Sequence, residues 1–442
     1  MSLEVLGMLM LALLCAAIFI GFPTAFTLLA LGFFFGVWGF GWERTSDLMV
    51  SRAFFVMSND VLIPVALFIF MGYVVERSGV LDKLFYAIQV AMGPIRGALC
   101  FTTLATCTIF AAATGIIGAS VTIMGLIAMP SMVRSKYDVK LAAGVITAGG
   151  CLGILIPPSV LLILYGATAG ISTVQLYAGA IIPGLILSSL YVGYVIVRVL
   201  INPAVAPALP KEERNVAFRQ IVWMVVTSVL PISALIFFVL GSIIAGWAAP
   251  TEASAVGAAG ALGLSALYGR LNLTMLKESL NESIRTSSMV LSLLVGSSLF
   301  ASVFALLGGS AVIERFVLGL NLSPSGFIWL SMAIIFLLGW PLEWTEIIII
   351  FIPLFLPLLP HFNIDELWFG ILVAVNLQTA FLSPPVAMAA FYLKGVSPPG
   401  VELGDIFRGM IPFMLLQLTG LVITFLFPEL TLWLPRVVFG GY

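Results

Sequence analysis

Charge is scarce in this chain. Asp, Glu, Lys and Arg make up 9% of its 442 residues, while 61% are hydrophobic; a soluble domain carries nearer ~25% charged and ~45–50% apolar residues. That excludes an ordinary soluble protein. The net charge of −1 by itself says nothing about nucleic acid, and no nucleic-acid partner is expected of a chain this apolar. There is one histidine, and no Asp lies inside an apolar run, so little is left to build a hydrolytic or metal-dependent membrane enzyme. The four cysteines, Cys15, Cys100, Cys107 and Cys151, all sit in apolar runs without ligand spacing. They read as small core residues, not as disulfides or metal ligands. The opening "MSLEVLGMLMLALLCAAIFIGF" lacks a basic n-region and reads as a retained span, not a cleaved signal.

What remains is a chain of long apolar runs, the pattern of an all-α polytopic membrane protein and not of a barrel, whose strands alternate over about 10 residues. Spans are expected near 4–20, 24–41, 61–76, 141–168, 174–198, 219–240, 250–268, 286–307, 367–393 and 408–427. Two stretches do not fit one crossing of about 20 residues. Residues 97–133 are uncharged but interrupted by "ATGIIGAS" (113–120), and residues 324–360 are interrupted by "GWPLEWTE" (339–346). Each half is too short to cross, so both stretches are expected to be re-entrant helical hairpins. "LTMLKESLNESIR" (273–285) reads as an amphipathic surface helix. "INPAVAPALPKEERN" (201–215) reads as a linker between two halves.

The halves repeat. Pro157-Pro158 recurs as Pro384-Pro385 at an offset of 227, and at the same offset Pro130 meets Pro357, Leu155 meets Leu382 and Tyr165 meets Tyr392. Each double proline interrupts an expected span, so each half is a hairpin, a discontinuous helix and a full span. The first hairpin is flanked by Arg96, Arg134, Lys136 and Lys140, the second by no Lys or Arg. The positive-inside rule therefore puts the first hairpin's base in the cytoplasm and the second's outside. Lys211, Arg214, Arg219, Arg270, Lys277, Arg285, Lys394 and Arg408 agree with that orientation. Arg44 and Arg52 dissent, since they fall outside, beside Glu43 and Asp47. The expected organisation is N-terminal scaffold spans (1–60), a first inverted repeat (61–200), linker, scaffold spans and arm (201–285), a second inverted repeat (286–427) and a C-terminal tail (428–442).

Inverted repeats with discontinuous helices are the plan of secondary transporters. A helix broken in hydrocarbon exposes N–H and C=O groups at a cost of several kcal/mol each, a cost offset where an ion or solute binds. Glu343 and Glu346 are the only charges between Phe316 and Pro360. An ionisable group at that depth is a functional candidate, and their spacing places both on one helix face. Ligating Na⁺, bonding substrate and capping the hairpin's second helix all stay open for them. Asn376 and Gln378, just before Pro384-Pro385, are buried amides that need partners. Substrate contact and a structural hydrogen bond both fit.

Four blocks together, "GILIPPSVLLILYG" (153–166), "AGAIIPGLIL" (178–187), "AAPTEASAVG" (248–257) and "LSPPVAMAAFYLKG" (382–395), resemble the large membrane subunit of tripartite ATP-independent periplasmic (TRAP) transporters along nearly the whole chain. The resemblance implies an ion-transporter-superfamily fold with a scaffold and a mobile elevator domain, in the inner membrane of a bacterium or archaeon. It implies Na⁺-driven uptake of a small organic acid or related polar solute, delivered by a periplasmic substrate-binding protein, beside a small membrane subunit expected as a separate chain. By position it implies a first Na⁺ site at Thr114, Gly115, Gly118, Ser120, Pro157 and Ser159, largely through backbone carbonyls. A second is implied at Glu343, Thr345, Ser383 and Pro384, while the residues' own chemistry, apart from the resemblance, makes Asn376, Gln378 and Glu346 the candidates for substrate contact. The chain departs from the family's Gly-Ser-Ala-x-Ala-Asp-like first tip, since Ile116, Ile117 and Val121 make it more apolar. A one-component sodium/carboxylate carrier of the same superfold is the alternative.

Overall fold

Glycine and proline, not changes in polarity, punctuate this apolar chain. The structure, a computed structural model, describes residues 2–115, 117–209 and 216–440, without the side chains of residues 112–114 and 218. Among the described residues all regular structure is helical. The N-terminal part comprises α1 (Leu3–Ile20), α2 (Thr24–Phe40), α3 (Trp42–Met57), α4 (Ile63–Arg77) and α5 (Val80–Met92). The first repeat follows as α6 (Ala98–Thr114), α7 (Ile117–Arg134), α8 (Val139–Cys151), α9 (Val160–Ala169) and α10 (Thr173–Ile201). Then come α11 (Phe218–Ile244), α12 (Pro250–Leu267), α13 (Leu273–Leu306) and α14 (Gly309–Gly319). The second repeat is α15 (Pro324–Leu338), α16 (Trp344–Glu346), a π turn at Ile347–Phe351, α17 (Ile352–Phe355), α18 (Glu366–Leu377), α19 (Thr379–Leu382), α20 (Met388–Val396) and α21 (Leu403–Leu426), with α22 (Glu429–Phe439) at the end. Seven helical stretches among the described residues are long and apolar enough to cross a membrane, eight if α3 and the segment Asp60–Arg77, bent by 52°, count as one; two of the seven, Ile117–Arg134 and Trp344–Phe362, are the second arms of the hairpins, longer than the sequence suggested.

Both expected hairpins are re-entrant. The N–H of Gly97, just before α6, donates to the Ala206 carbonyl at 2.9 Å, and the N–H of Asp138, just before α8, donates to the adjacent Val205 carbonyl at 2.8 Å. The α6–α7 hairpin thus starts and finishes at one end of α10. In the second hairpin the Phe327 ring near its start stacks on the Phe362 ring past its finish, with centroids 4.5 Å apart. That base lies at the opposite end of α10. It leads into α18, whose first-turn Glu366 carbonyl accepts from the Tyr165 hydroxyl at 3.4 Å, and Tyr165 lies on α9, which turns into the start of α10. The two units are inverted.

Each span carrying a double proline is broken. The expected span 141–168 is α8 and α9 with a gap at Leu155–Ser159, and 367–393 is α18, α19 and α20. Pro157-Pro158 and Pro384-Pro385 are both cis. The broken spans cross so closely that a Cβ on Gly370 would lie 2.4 Å from the Tyr165 ring. α8 and α21 approach through their backbones: a Cβ on Gly409 would come 2.0 Å from the Lys140 carbonyl oxygen. Each of these glycines is fixed by lack of space.

Three segments differ from expectation. The arm 273–285 is not a separate surface helix; it continues into the following span as the 34-residue α13, because nothing between Asn272 and Leu307 breaks a helix. The tail 428–442 contains α22, which packs its Thr431 against Gly179 of α10; Pro428 precedes the helix. In the linker, Val205, Ala206 and Leu209 are buried and hold the first hairpin's base. Lys211 and Arg214 lie outside the described residues.

Candidate functional site

The turns of the two hairpins meet across one cavity of about 360 Å³. Gly115 and Gly118 line it from the first turn, Glu343 and Trp344 from the second. Ile154 and Val160, on either side of Pro157-Pro158, and Phe381, just before Pro384-Pro385, line it too. The remaining wall comes from α4 (Ile69, Tyr73, Glu76) and α13 (Thr286, Met289, Val290). α4 ends at Arg77, which pairs with Glu278 of α13 at 3.5 Å. The cavity therefore lies toward the end of the molecule where the basic residues gather.

Each hairpin turn faces its own break. Gly115 takes φ +61°, and a Cβ on it would lie 3.5 Å from the Pro158 carbonyl oxygen and 3.4 Å from the Val160 nitrogen. A side chain would be strained there by the positive φ, while its Cβ would find ordinary contacts. In the second unit a Cβ on Gly339 would lie 2.7 Å from the Ala380 Cβ. The breaks differ in cover: Pro157 and Pro158 are buried, Pro384 is half-buried and Pro385 is exposed.

The units also differ in how their polar groups are satisfied. In the first, the Ser159 hydroxyl donates to the Ile154 carbonyl across the gap and accepts weakly from the Leu162 N–H at 3.5 Å. That break is stitched by its own serine. Ser120 is buried on α7, Gly118 sits under the Tyr392 ring, and the Thr114 side chain and all of Ile116 lie outside the described residues. In the second unit the Thr345 and Ser383 hydroxyls and both ends of the Gln378 amide are buried without a hydrogen-bond partner among the described residues. Asn376 donates to the Met332 carbonyl at 2.8 Å, but its carbonyl oxygen has no partner. A buried polar group left unpaired costs about 1–3 kcal/mol, and these side chains are 0–2% exposed. Hydroxyl and amide oxygens are hard donors, the chemistry an alkali cation accepts.

The two glutamates split their roles. Glu343 opens onto the cavity. Glu346 turns back: its carboxylate accepts from the Glu343 N–H at 3.1 Å and from the Thr24 hydroxyl of α2. It closes the first turn of the helix it begins, as a capping glutamate does, and fastens that turn to α2.

Sequence reasoning missed the wall supplied by α4 and α13. Tyr73 and Thr286 share a hydrogen bond at 3.2 Å, and neither belongs to a motif. Tyr392 carried a usable signal, being the repeat partner of Tyr165.

Solved transporters share this overall fold. The Alcanivorax borkumensis YdaH transporter superposes with TM-score 0.61 at 16% identity, covering 88% of this chain and 89% of that one. Neisseria gonorrhoeae MtrF superposes with TM-score 0.60 at 13% identity, covering 92% and 86%. These share the fold. The family model of the tripartite ATP-independent periplasmic transporter, DctM component, matches residues 9–430. The chain belongs to that family. Among TRAP relatives, the C4-dicarboxylate large permease protein DctM of Pseudomonas aeruginosa is 30% identical over 88% of this chain and 89% of its own. The sialic acid large permease protein SiaM of Vibrio cholerae is 26% identical over 96% and 97%. The isethionate permease protein DctMQ of Oleidesulfovibrio alaskensis is 26% identical over 88% of this chain but 60% of its own length. The motif blocks around the double prolines thus led to the right family, and this TRAP chain is a multi-pass membrane permease component.

Proposed function

We propose that this chain is the large permease subunit of a Na⁺-driven importer of a small organic acid, working by an elevator movement in the inner membrane. A substrate-binding protein delivers the acid, and a small membrane subunit, carried on a separate chain, completes the complex. The observation that carries this reading is the set of buried oxygens at Thr345, Asn376, Gln378 and Ser383, without partners among the described residues, in the second hairpin turn and the broken helix behind it, whose neighbours Trp344 and Phe381 line the cavity shared by two inverted hairpins. Na⁺ held there satisfies those groups and supplies the positive charge that neither hairpin turn contains. A carboxylate in the cavity is then met by the ion and by the free N–H groups of the breaks. Glu343, at the cavity edge, is placed to sense ion or substrate. The named substrates of the relatives, C4-dicarboxylate, sialic acid and isethionate, are all acids, which supports that class for this chain.

The test is uptake into liposomes holding this chain with its partners, with radiolabelled acids of those three kinds. Uptake is expected with an inward Na⁺ gradient and to collapse when K⁺ replaces Na⁺. Equal uptake in K⁺ overturns Na⁺ coupling. Uptake by this chain alone favours the one-component carrier.

A further inference from the structure

A second, smaller cleft lies on the far side of the same contact. Its volume is about 200 Å³, and α13 passes between the two: Val290 lines the large cavity and Leu294, one helical turn on, lines the cleft. Arg52 and Asn59 form one wall, Ser298 and Ser302 of α13 another, and Thr168 at the end of α9 the third. Asn59 and Thr168 place it toward the end of the molecule opposite the basic cluster, since α4 begins just past Asn59 and α9 ends just past Thr168.

Arg52 is one of the two residues that dissent from the charge rule, and its surroundings give it a purpose. At the same end Arg315 pairs with Glu4 at 2.5 Å and Arg436 with Glu429 at 2.6 Å. Arg52 is half-buried and has no ion pair or hydrogen bond among the described residues. No carboxylate lines its cleft. The Thr168 hydroxyl is buried there without a partner among the described residues. A guanidinium facing hydroxyls and an amide, with no acid to neutralise it, matches the fork geometry of a carboxylate or sulfonate.

We propose that this cleft is an anion-binding vestibule on the external side, where Arg52 receives the acid group of the solute before it reaches the larger cavity. The proposal extends the organic-acid reading and supplies the positive side chain that both hairpin turns lack. Field lines from one cation in a narrow cleft concentrate anions at its mouth.

The test needs neither transport nor a known substrate. In a variant with Cys15, Cys100, Cys107 and Cys151 replaced, Ser298→Cys is treated from outside, in spheroplasts carrying the full complex, with two impermeant methanethiosulfonates, one bearing a sulfonate and one a trimethylammonium group. The sulfonate reagent is expected to react faster relative to the same pair of reagents on free thiol. Arg52→Gln is expected to cut that preference by about fivefold or more, as loss of one charge at close range in a partly wet site implies. Arg52→Lys is expected to keep most of it, and Arg44→Gln, on the same helix but exposed, to leave it unchanged. Reaction only from the cytoplasmic side, no reaction from outside, or a preference that Arg52→Gln leaves intact each overturns the vestibule. Loss of Na⁺-driven uptake in the liposome test does not bear on this readout, so the two readings fail separately.

Discussion

The Thr24 hydroxyl of α2 donates to the Glu346 carboxylate in the second hairpin turn, so a helix near the N-terminus grips a turn that lies more than 300 residues away in sequence. The same carboxylate closes the hairpin's own first turn through the Glu343 N–H. Thr24→Val removes one of these bonds and Glu346→Ala both. A hydrogen bond to a charged group contributes about 1.5–3 kcal/mol. Glu346→Ala is therefore expected to lower the melting temperature of the purified complex clearly more than Thr24→Val does. Equal losses sink the double role.

Thr345 and Ser383 keep buried hydroxyls that bond to nothing among the described residues. Were they structural, Thr345→Val and Ser383→Ala would destabilise the Na⁺-free protein. The expected outcome is the reverse: a melting temperature unchanged or higher without Na⁺, and a half-saturating Na⁺ concentration for uptake raised about tenfold, or ~1.4 kcal/mol. A lower melting temperature with unaltered Na⁺ dependence would falsify the ion site.

Gly115 combines a positive φ with close neighbours, whereas Gly400 has φ +94° and nothing within 4 Å. Ala at either is strained by roughly 1–2 kcal/mol. Only Gly115→Ala is expected to cut uptake strongly, because only there does the strained residue form the hairpin turn that rests against the Pro158 carbonyl and the Val160 N–H. Matched loss of uptake in Gly400→Ala would contradict this.

Gly370 and Tyr165 form the crossing of the two broken helices. Gly370→Ala overpacks that crossing, at a cost of about 1–3 kcal/mol. Tyr165→Leu gives room back, so the double variant is expected to be less destabilised than the sum of the singles by at least ~1 kcal/mol, as residues in contact do not add. Simple additivity in thermal unfolding of the purified complex would show that the rings and backbone do not touch.

The hairpins, the breaks and their inversion were legible because each is written locally. Glycine-rich turns interrupt apolar runs too short to cross twice, double prolines repeat at a fixed offset, and Lys and Arg gather beside one hairpin alone. Where the signal was tertiary it was silent. Tyr73, Glu76 and Thr286 look like ordinary residues near span ends, and they become a cavity wall only because α4 and α13 pack side by side. The capping use of Glu346 was legible as one of three options, but its second partner, Thr24, lies too far away in sequence to be inferred. Pro428 and Pro435 disguised α22 as a tail, although a proline in a first turn is tolerated and Pro435 is buried against its neighbours.

α13 runs unbroken from Leu273 to Leu306 and borders both the large cavity and the small cleft. The two openings therefore share one rail. The boundary between them along that rail is the single turn from Val290 to Leu294, a rise of about 6 Å. In the proposed transport cycle, only the bank opposite α13 would need to travel for the solute to pass from one opening to the other. The length of that step is then a property of one helix, readable as a change in distance between a label on α13 and a label on either hairpin.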